Sequence, residues 1–378
     1  MSATASSCWC GNSELTEFGP AYLHCSRCET LVARNMAGPE ISDVKNDDTD
    51  LYGRDYWFGH QAGDLGLPTI VTRSRTDLPE RCLYWLRALL KFKKPPARVL
   101  ELASAHGGFV ALLQQAGFEA AGLELSPWVV DYAQKTFNVP MLLGAIETQQ
   151  IPPGSLDAIA MMDVLEHLPD PIGTLRSCLS LLKPDGVLLL QTPGYRETKS
   201  YDAMVGDNDY FLNHMRGKAE KEHLYLYSPQ SVSTLLKKVG FEHVAFEPAI
   251  FAVYDMFLVA SRLALPTLSE DEVDAALLAT PTSRLALALI DFDKKVQREY
   301  GLLLGERNSL REEVKRQIAA LEAQRSDIEN QKNSLNSMRA AAQAIFQSRA
   351  FKILRALGRW APIEKLLTDA FPDLRKKE

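Results

Sequence analysis

Six segments carry side chains whose types and spacing could do chemistry. Cys8-x-Cys10 and Cys25-x-x-Cys28 place four thiols in two knuckles near the amino terminus, an arrangement able to bind Zn²⁺ tetrahedrally. With cysteine supplying every ligand, such a site is closed and structural. Arg98-Val-Leu-Glu-Leu-Ala-Ser-Ala-His-Gly-Gly-Phe109 is an apolar run ending in a carboxylate, followed by small residues at a helix start. Small residues let backbone approach a ligand closely, and a helix start offers free N–H groups. Ala120-Ala-Gly-Leu-Glu-Leu-Ser126 places a second acid-ended run about twenty residues on, as dinucleotide-binding folds also do. Glu124 there suits a grip on two ribose hydroxyls. Asp163-Val-Leu-Glu-His167 and Lys221-Glu-His223 add acids and two histidines, which suit proton transfer near neutral pH.

The elements that must position these groups follow from periodicity. Short β-like runs, Arg98–Leu102, Ala120–Leu125, Leu156–Met162 and Gly186–Thr192, alternate with amphipathic stretches at Phe109–Ala116, Pro127–Phe137 and Pro171–Leu182. That alternation predicts an α/β fold, a parallel sheet flanked by helices with right-handed connections. The domains expected are a cysteine head at 1–40, an α/β domain at 41–265, a helical stalk at 266–346 and a basic amphipathic tail at 347–378.

In the stalk Leu285, Leu289, Phe292, Val296, Tyr300 and Leu303 repeat at helical spacing. Val314, Leu321, Ile328, Leu335 and Ala342 then recur every seven residues. Leu310, Gln317, Gln324, Gln331, Met338 and Ile345 form the complementary series, so a coiled coil joining copies of the chain is expected. The alternative is a single helix packing on its own domain, but sixty helical residues at ~1.5 Å each extend about 90 Å, too far to fold back entirely. The tail sets Phe351, Leu354, Leu357, Trp360 and Ile363 among Arg349, Lys352, Arg355 and Arg359. This is the composition of a helix on an anionic membrane, or of one docking on a partner or on the α/β domain.

A net charge of −6 gives no sign of a nucleic-acid partner. Met1 to Ser7 has neither a basic patch nor an apolar core, and no uncharged apolar run approaches the roughly 20 residues of a membrane helix. A cytoplasmic location, with reduced thiols, is the expectation, extending to the inner face of the membrane if the tail binds there. Cys82 and Cys178, alone in apolar helical contexts, read as core residues.

Taken in order, these motifs resemble the class I S-adenosylmethionine (SAM)-dependent methyltransferases over about 52 to 260, with Rossmann-like sheets. Asp-Val-Leu-Glu-His is similar to the motif of ubiquinone-type O-methyltransferases. The resemblance implies that Glu101 organises the methionine end of SAM and Glu124 its ribose. It further implies that Ala103, Ser104, His106 and Gly107 form the SAM turn, with Leu125 also in the cofactor site, Ile146 beside the adenine and Asp163 lining the pocket. Ala103 and Ala105 stand where the family has glycine, and Ala145 where it has an acid. Glu166, His167 and His223 are the candidate catalytic residues. Asp163-x-x-Glu166-His167 with His223 also resembles the metal site of small-RNA 2′-O-methyltransferases, although many metal-independent relatives carry Glu-His there too.

The cysteine segment, and Leu51-Tyr-Gly-Arg-Asp-Tyr-Trp57 after it, resemble bacterial sugar methyltransferases with zinc-ribbon heads. In these, Tyr56 or Trp57 covers the SAM pocket or packs between head and domain. Head, domain, stalk and tail together resemble methyltransferases of surface-polysaccharide assembly. The implied reaction is O-methylation of a sugar in a glycan or its precursor. Alternatives are C-methylation of a nucleotide-linked deoxysugar, and an oligomeric scaffold with a degenerate methyltransferase domain.

Overall fold

Strands form where short, largely apolar runs are bounded by turns. In this computed structural model, residues 3–4, 7–36, 44–48, 50, 52–64, 66–196, 199–216, 222–265, 267–359 and 361–372 are described. Leu51, Lys221 and Trp360 fall outside them. The strands are β1 (Ala3–Thr4), β2 (Thr16–Phe18), β3 (Tyr22–Cys25), β4 (Thr30–Ala33), β5 (Asn35–Met36), β6 (Arg98–Leu102) and β7 (Glu119–Glu124). There follow β8 (Met141–Leu143), β9 (Leu156–Met162), β10 (Leu182–Pro193), β11 (Tyr225–Leu226), β12 (His243–Glu247) and β13 (Asp255–Ser261).

The main sheet runs β12-β13-β10-β9-β6-β7-β8. Its five strands from β8 to β10 are parallel, as expected. β13 is antiparallel to both β10 and β12, so the sheet is mixed. Sequence periodicity cannot see this reversal, because a buried strand reads the same in either direction. The Lys183-Pro-Asp-Gly186 turn appears as a register shift within β10 between Leu182 and Val187.

Alternation along each strand feeds two cores. Ile159 and Met161 pack with Leu188, Leu190 and Leu258 on one face. Ala158, Ala160, Leu189 and Phe257 pack on the other, with Phe109 and Leu113 from the helix Gly108–Gln115. Cys178 and Cys82 are buried in these cores. The helix Pro127–Phe137 starts where Ser126 Oγ accepts from Val129 N, with Pro at the first helical position.

The head is not separate from this core. β2, β3 and β4 form a four-stranded sheet with β11, in the order β11-β4-β3-β2, and Val32 and Trp9 belong to the first core. Residues 1–294 form one compact unit and 295–378 a second. Within the first unit Leu277, Ala286 and Ile290 are buried against the second core, while Leu285, Leu289 and Phe292 face water. The long helix spans Pro281–Gln347. In the second unit the tail is two helices, Arg349–Ala356 and Ala361–Ala370, because Gly358 takes a left-handed φ of 68° and ends the first. Phe351 is buried edge-on to Phe346. Among the described residues no helix is long and apolar enough to cross a membrane.

Candidate active site and cysteine cluster

The predicted acids converge at the carboxyl ends of β6, β7 and β9. Glu101 is buried on β6, and its Oε2 accepts no hydrogen bond from the described residues. Burial, then the neighbouring Glu124 charge, holds its carboxyl well above the usual range. A buried acceptor without a donor is costly unless a ligand supplies one, and the ammonium of an amino acid would. Glu124 ends β7. Its Oε1 accepts from Ala105 N at 2.7 Å and its Oε2 from Leu125 N at 3.1 Å, and burial lifts it to about 7.

The turn between them is tight. Ala103 and Ala105 adopt left-handed φ of 51° and 50°, the conformation glycine takes without cost. Alanine therefore tolerates the family's turn at a price in strain of order 1 kcal/mol per residue. Gly107 has φ 76°, and a Cβ there would sit 2.9 Å from Val139 Cγ2. Ser104 packs against Gly122, where a Cβ would meet its Oγ at 2.2 Å. His106 is buried with both nitrogens engaged: Nε2 faces Asp77 Oδ2 at 3.3 Å and Nδ1 accepts from Gly108 N at 3.0 Å. Leu125 is half-buried, and Ile146 is buried in the first core.

Asp163 follows β9 with a left-handed φ of 57°. Gln191 Nε2 donates to its Oδ1 at 3.0 Å, Trp85 Nε1 fixes that amide through Gln191 Oε1 at 3.1 Å, and Arg81 approaches Oδ2 at 3.8 Å. Asp255 lies close enough that burial and the Asp163 charge lift it to about 8. Arg81, Gln191 and Asp255 were not anticipated, since nothing in their local sequence distinguishes them from ordinary strand and helix residues.

The two histidines, 56 positions apart by number (223 − 167), meet with ring centroids 4.9 Å apart. His167 Nδ1 lies 3.0 Å from the Glu222 carbonyl and 3.1 Å from Tyr52 Oη. His223 Nδ1 lies 2.9 Å from the His214 carbonyl. A carbonyl only accepts, so each proton sits on Nδ1 and each Nε2 keeps its lone pair. Burial lowers His167 to about 3 and His223 to about 4, so both are neutral at physiological pH. Glu166 is buried beside them. Its Oε2 accepts from Thr192 Oγ1 at 2.8 Å, and its Oε1 lies 3.9 Å from His167 Nε2. One ligand atom from each of Glu166, His167 and His223 falls within 4.8 Å of the others, and Asp163 is not among them.

The head holds this segment. Tyr22 Oη donates to the His223 carbonyl at 3.0 Å, Ala33 N donates to Leu224 O, and Leu224 N donates to Glu166 O. His60 Nε2 pairs with Glu222 Oε1 at 2.5 Å. Tyr56 packs edge-on to both Tyr52 and Trp57, and Trp57 is buried with Ile70 and Val129 under the Arg73 guanidinium.

Cys8, Cys10, Cys25 and Cys28 are free thiols whose Sγ atoms all lie within 4.8 Å of one another. Cys8 to Cys28 is 3.5 Å and Cys10 to Cys25 is 3.6 Å. Four sulfurs at ~2.3 Å from a tetrahedral ion stand close to such separations, so the donor set fits zinc. Gly11, at φ 86°, closes the tighter first knuckle by donating its N–H to Cys8 O. The hydrogen bond from Cys8 draws the Cys28 thiol down to about 5, and Asn12 Nδ2 donates to Cys25 Sγ at 3.4 Å.

Residues 74–245 match the methyltransferase domain family. Over 104 residues the chain is 35% identical to the ubiquinone biosynthesis O-methyltransferase of Xanthomonas campestris pv. campestris, covering 26% of this chain and 44% of that protein. It is 27% identical over 152 residues to the namesake enzyme of Xanthomonas euvesicatoria pv. vesicatoria, covering 39% and 63%. The chain thus spans less than two thirds of the length of these relatives. Among solved structures, the CMeT domain of the citrinin polyketide synthase superposes with a TM-score of 0.40 at 20% identity, covering 55% of this chain and 59% of that one. Family match and sheet topology identify a class I SAM-dependent methyltransferase domain.

Proposed function

We propose that the chain transfers a methyl group from SAM to a hydroxyl of a sugar in a glycan or its precursor. The observation that carries methyl transfer to a hydroxyl is the meeting of His167 and His223, each with a lone pair on Nε2, beside the buried Glu166. Bound SAM supplies an electrophilic sulfonium methyl, so the protein has chiefly to position the acceptor and take its proton. Glu101 has a buried acceptor to offer an ammonium, and Glu124 a carboxylate for paired hydroxyls. His167 or His223 removes the acceptor proton at Nε2, while its Nδ1–H stays on a backbone carbonyl. The relatives named as O-methyltransferases support transfer to oxygen. The sugar rests on the resemblance of the cysteine head to those of sugar methyltransferases, and on that head bracing His223.

A second reading is favoured by the proximity of Glu166, His167 and His223. These three side chains would hold a divalent ion, and such an ion would lower the pKa of the acceptor hydroxyl. Chelator-insensitive turnover by protein that retains its cysteine-bound metal would exclude it.

The test is incubation with methyl-labelled SAM and candidate sugar nucleotides or glycans. Label is expected on a sugar oxygen, and label on carbon or on none of them refutes the proposal. His167→Ala and His223→Ala are each expected to slow turnover by about 10²–10⁴-fold while calorimetry still shows SAM binding. No heat of binding at millimolar SAM in the unaltered protein would overturn the enzymatic reading altogether.

A further inference from the structure

Residues 295–347 of the long helix carry an apolar stripe in water. Leu303, Leu310, Val314, Leu321, Ile328 and Leu335 are between 53% and 64% exposed. Written as heptads, Val314, Leu321, Ile328 and Leu335 occupy a, and Leu303, Leu310, Gln317, Gln324, Gln331 and Met338 occupy d. Gly301 and Gly305 fall at b and f, clear of the stripe. We propose that this face docks a second copy of the same chain, parallel and in register.

Two independent features select that occupant and that direction. The first is the column of three glutamines. In a parallel, in-register pair d faces d, so Gln317, Gln324 and Gln331 each meet their own copy, and one amide's N–H₂ can donate to the other's C=O. In an antiparallel pair d faces a, and each amide lies against an aliphatic side chain such as Leu321 or Ile328. Its hydrogen bonds to water are then lost without replacement. A pair also leaves the amides' second donors within reach of solvent.

The second feature is charge. The g column carries Glu299, Glu306, Glu313 and Asp327, and the e column carries Arg311, Arg325, Lys332 and Arg339. Parallel strands bring g of one helix to e of the next heptad on the other, which pairs Glu306 with Arg311 and Asp327 with Lys332. Antiparallel strands bring e to e and g to g, setting base against base and acid against acid. Within one copy Glu299 pairs with Lys295, Glu313 with Arg316 and Lys332 with Glu329, each within four positions along the same helix.

The full-length chain at micromolar concentration is expected to sediment near twice its 42.1 kDa mass. A mass of one chain, or of three, would overturn the proposal. The double variant Leu321→Lys with Ile328→Lys should halve the mass while the near-ultraviolet spectrum of the first unit is unchanged. Direction is read from Leu303→Cys and Leu335→Cys proteins, oxidised separately and mixed, with linked peptides identified by mass spectrometry. Links of 303 to 303 and of 335 to 335 are expected, and links of 303 to 335 would refute the parallel register. Cysteine at either position shortens a side chain on the water-facing stripe, so neither variant challenges the fold.

Discussion

Two clusters of ligand-bearing side chains flank one short segment, residues 222–227, and they differ in what they leave open. The cysteine cluster offers four sulfurs to one centre, with three of the four cysteines buried. An ion there has a complete tetrahedral shell and no position for a substrate. The other cluster offers three ligand atoms, from Glu166, His167 and His223, and its histidines are fixed through Nδ1 so that Nε2 remains unspent. One cluster is saturated and can only hold shape, whereas the other is unsaturated and can do chemistry. Strand β11 joins them, pairing Tyr225 with Val32 of the head two residues after His223.

Breaking the saturated cluster should therefore have the largest effect. Cys28→Ser removes one of four ligands and leaves three thiols, two of them buried, without an ion to share. Metal-binding free energy at such sites is folding free energy, so a loss on the order of 5 kcal/mol is expected. Metal content by mass spectrometry and the denaturation midpoint should fall together, and turnover should follow because the head no longer braces His223. If metal content falls while the midpoint and turnover hold, the saturated cluster is not a structural support.

The unsaturated cluster is tested by pH. Burial lowers the folded pKa of His223 from 6.5 to about 4. Between those values the unfolded chain binds more protons than the folded one, so this group's stabilising contribution, complete above pH 6.5, is lost as pH falls towards 4. His223→Gln removes that contribution. Its stability should fall less steeply than that of the unaltered protein between pH 6.5 and 4.5, by about 1 kcal/mol per pH unit. Equal slopes in urea titrations would show that His223 is not held neutral by the fold. The comparison has to be made between the two proteins, because raised carboxyls such as Asp255 titrate with the opposite sign.

The parts of this arrangement legible in the sequence are those encoded locally. Arg98–Leu102 and Leu156–Met162 run as their apolar patterns indicate, and Glu101, Glu124 and Asp163 fall at strand ends because a carboxylate stops an apolar run. The cysteine spacing likewise displays its own chemistry. Illegible were the pairings made at a distance. No local signal places Tyr225 beside Val32, turns β13 against β10, or brings Arg81 to Asp163. The left-handed φ of Ala103 and Ala105 was hidden for a different reason. Alanine does not announce that conformation, and the turn is imposed by the strands on either side and by the Ala105 N–H held on Glu124. Along the long helix the pattern was legible but its two uses were not. Ala286 and Ile290, between the more conspicuous leucines, enter the core, and the leucines stay in water.

The smallest expected effect is also the sharpest probe of how the two clusters communicate. Tyr22 sits on β3 of the head, fully buried, and its hydroxyl donates to the His223 carbonyl at 3.0 Å. Tyr22→Phe keeps the ring and its packing against Leu31 and Leu226 in the head core, and removes the hydroxyl that reaches the His223 carbonyl and, at 3.5 Å, the His214 carbonyl. The cost to stability should be about 1 kcal/mol, the net worth of one such bond plus the desolvated carbonyl left behind. Turnover should fall by more than stability alone accounts for, about tenfold at saturating SAM, because His223 loses one of the bonds fixing its backbone. The KM for SAM should not move, since Glu101 and Glu124 lie on β6 and β7 and none of the contacts described for Tyr22 reaches them. A change in SAM affinity with turnover intact would mean that the head supports the cofactor side, and that the two clusters are joined through the main sheet and not through β11.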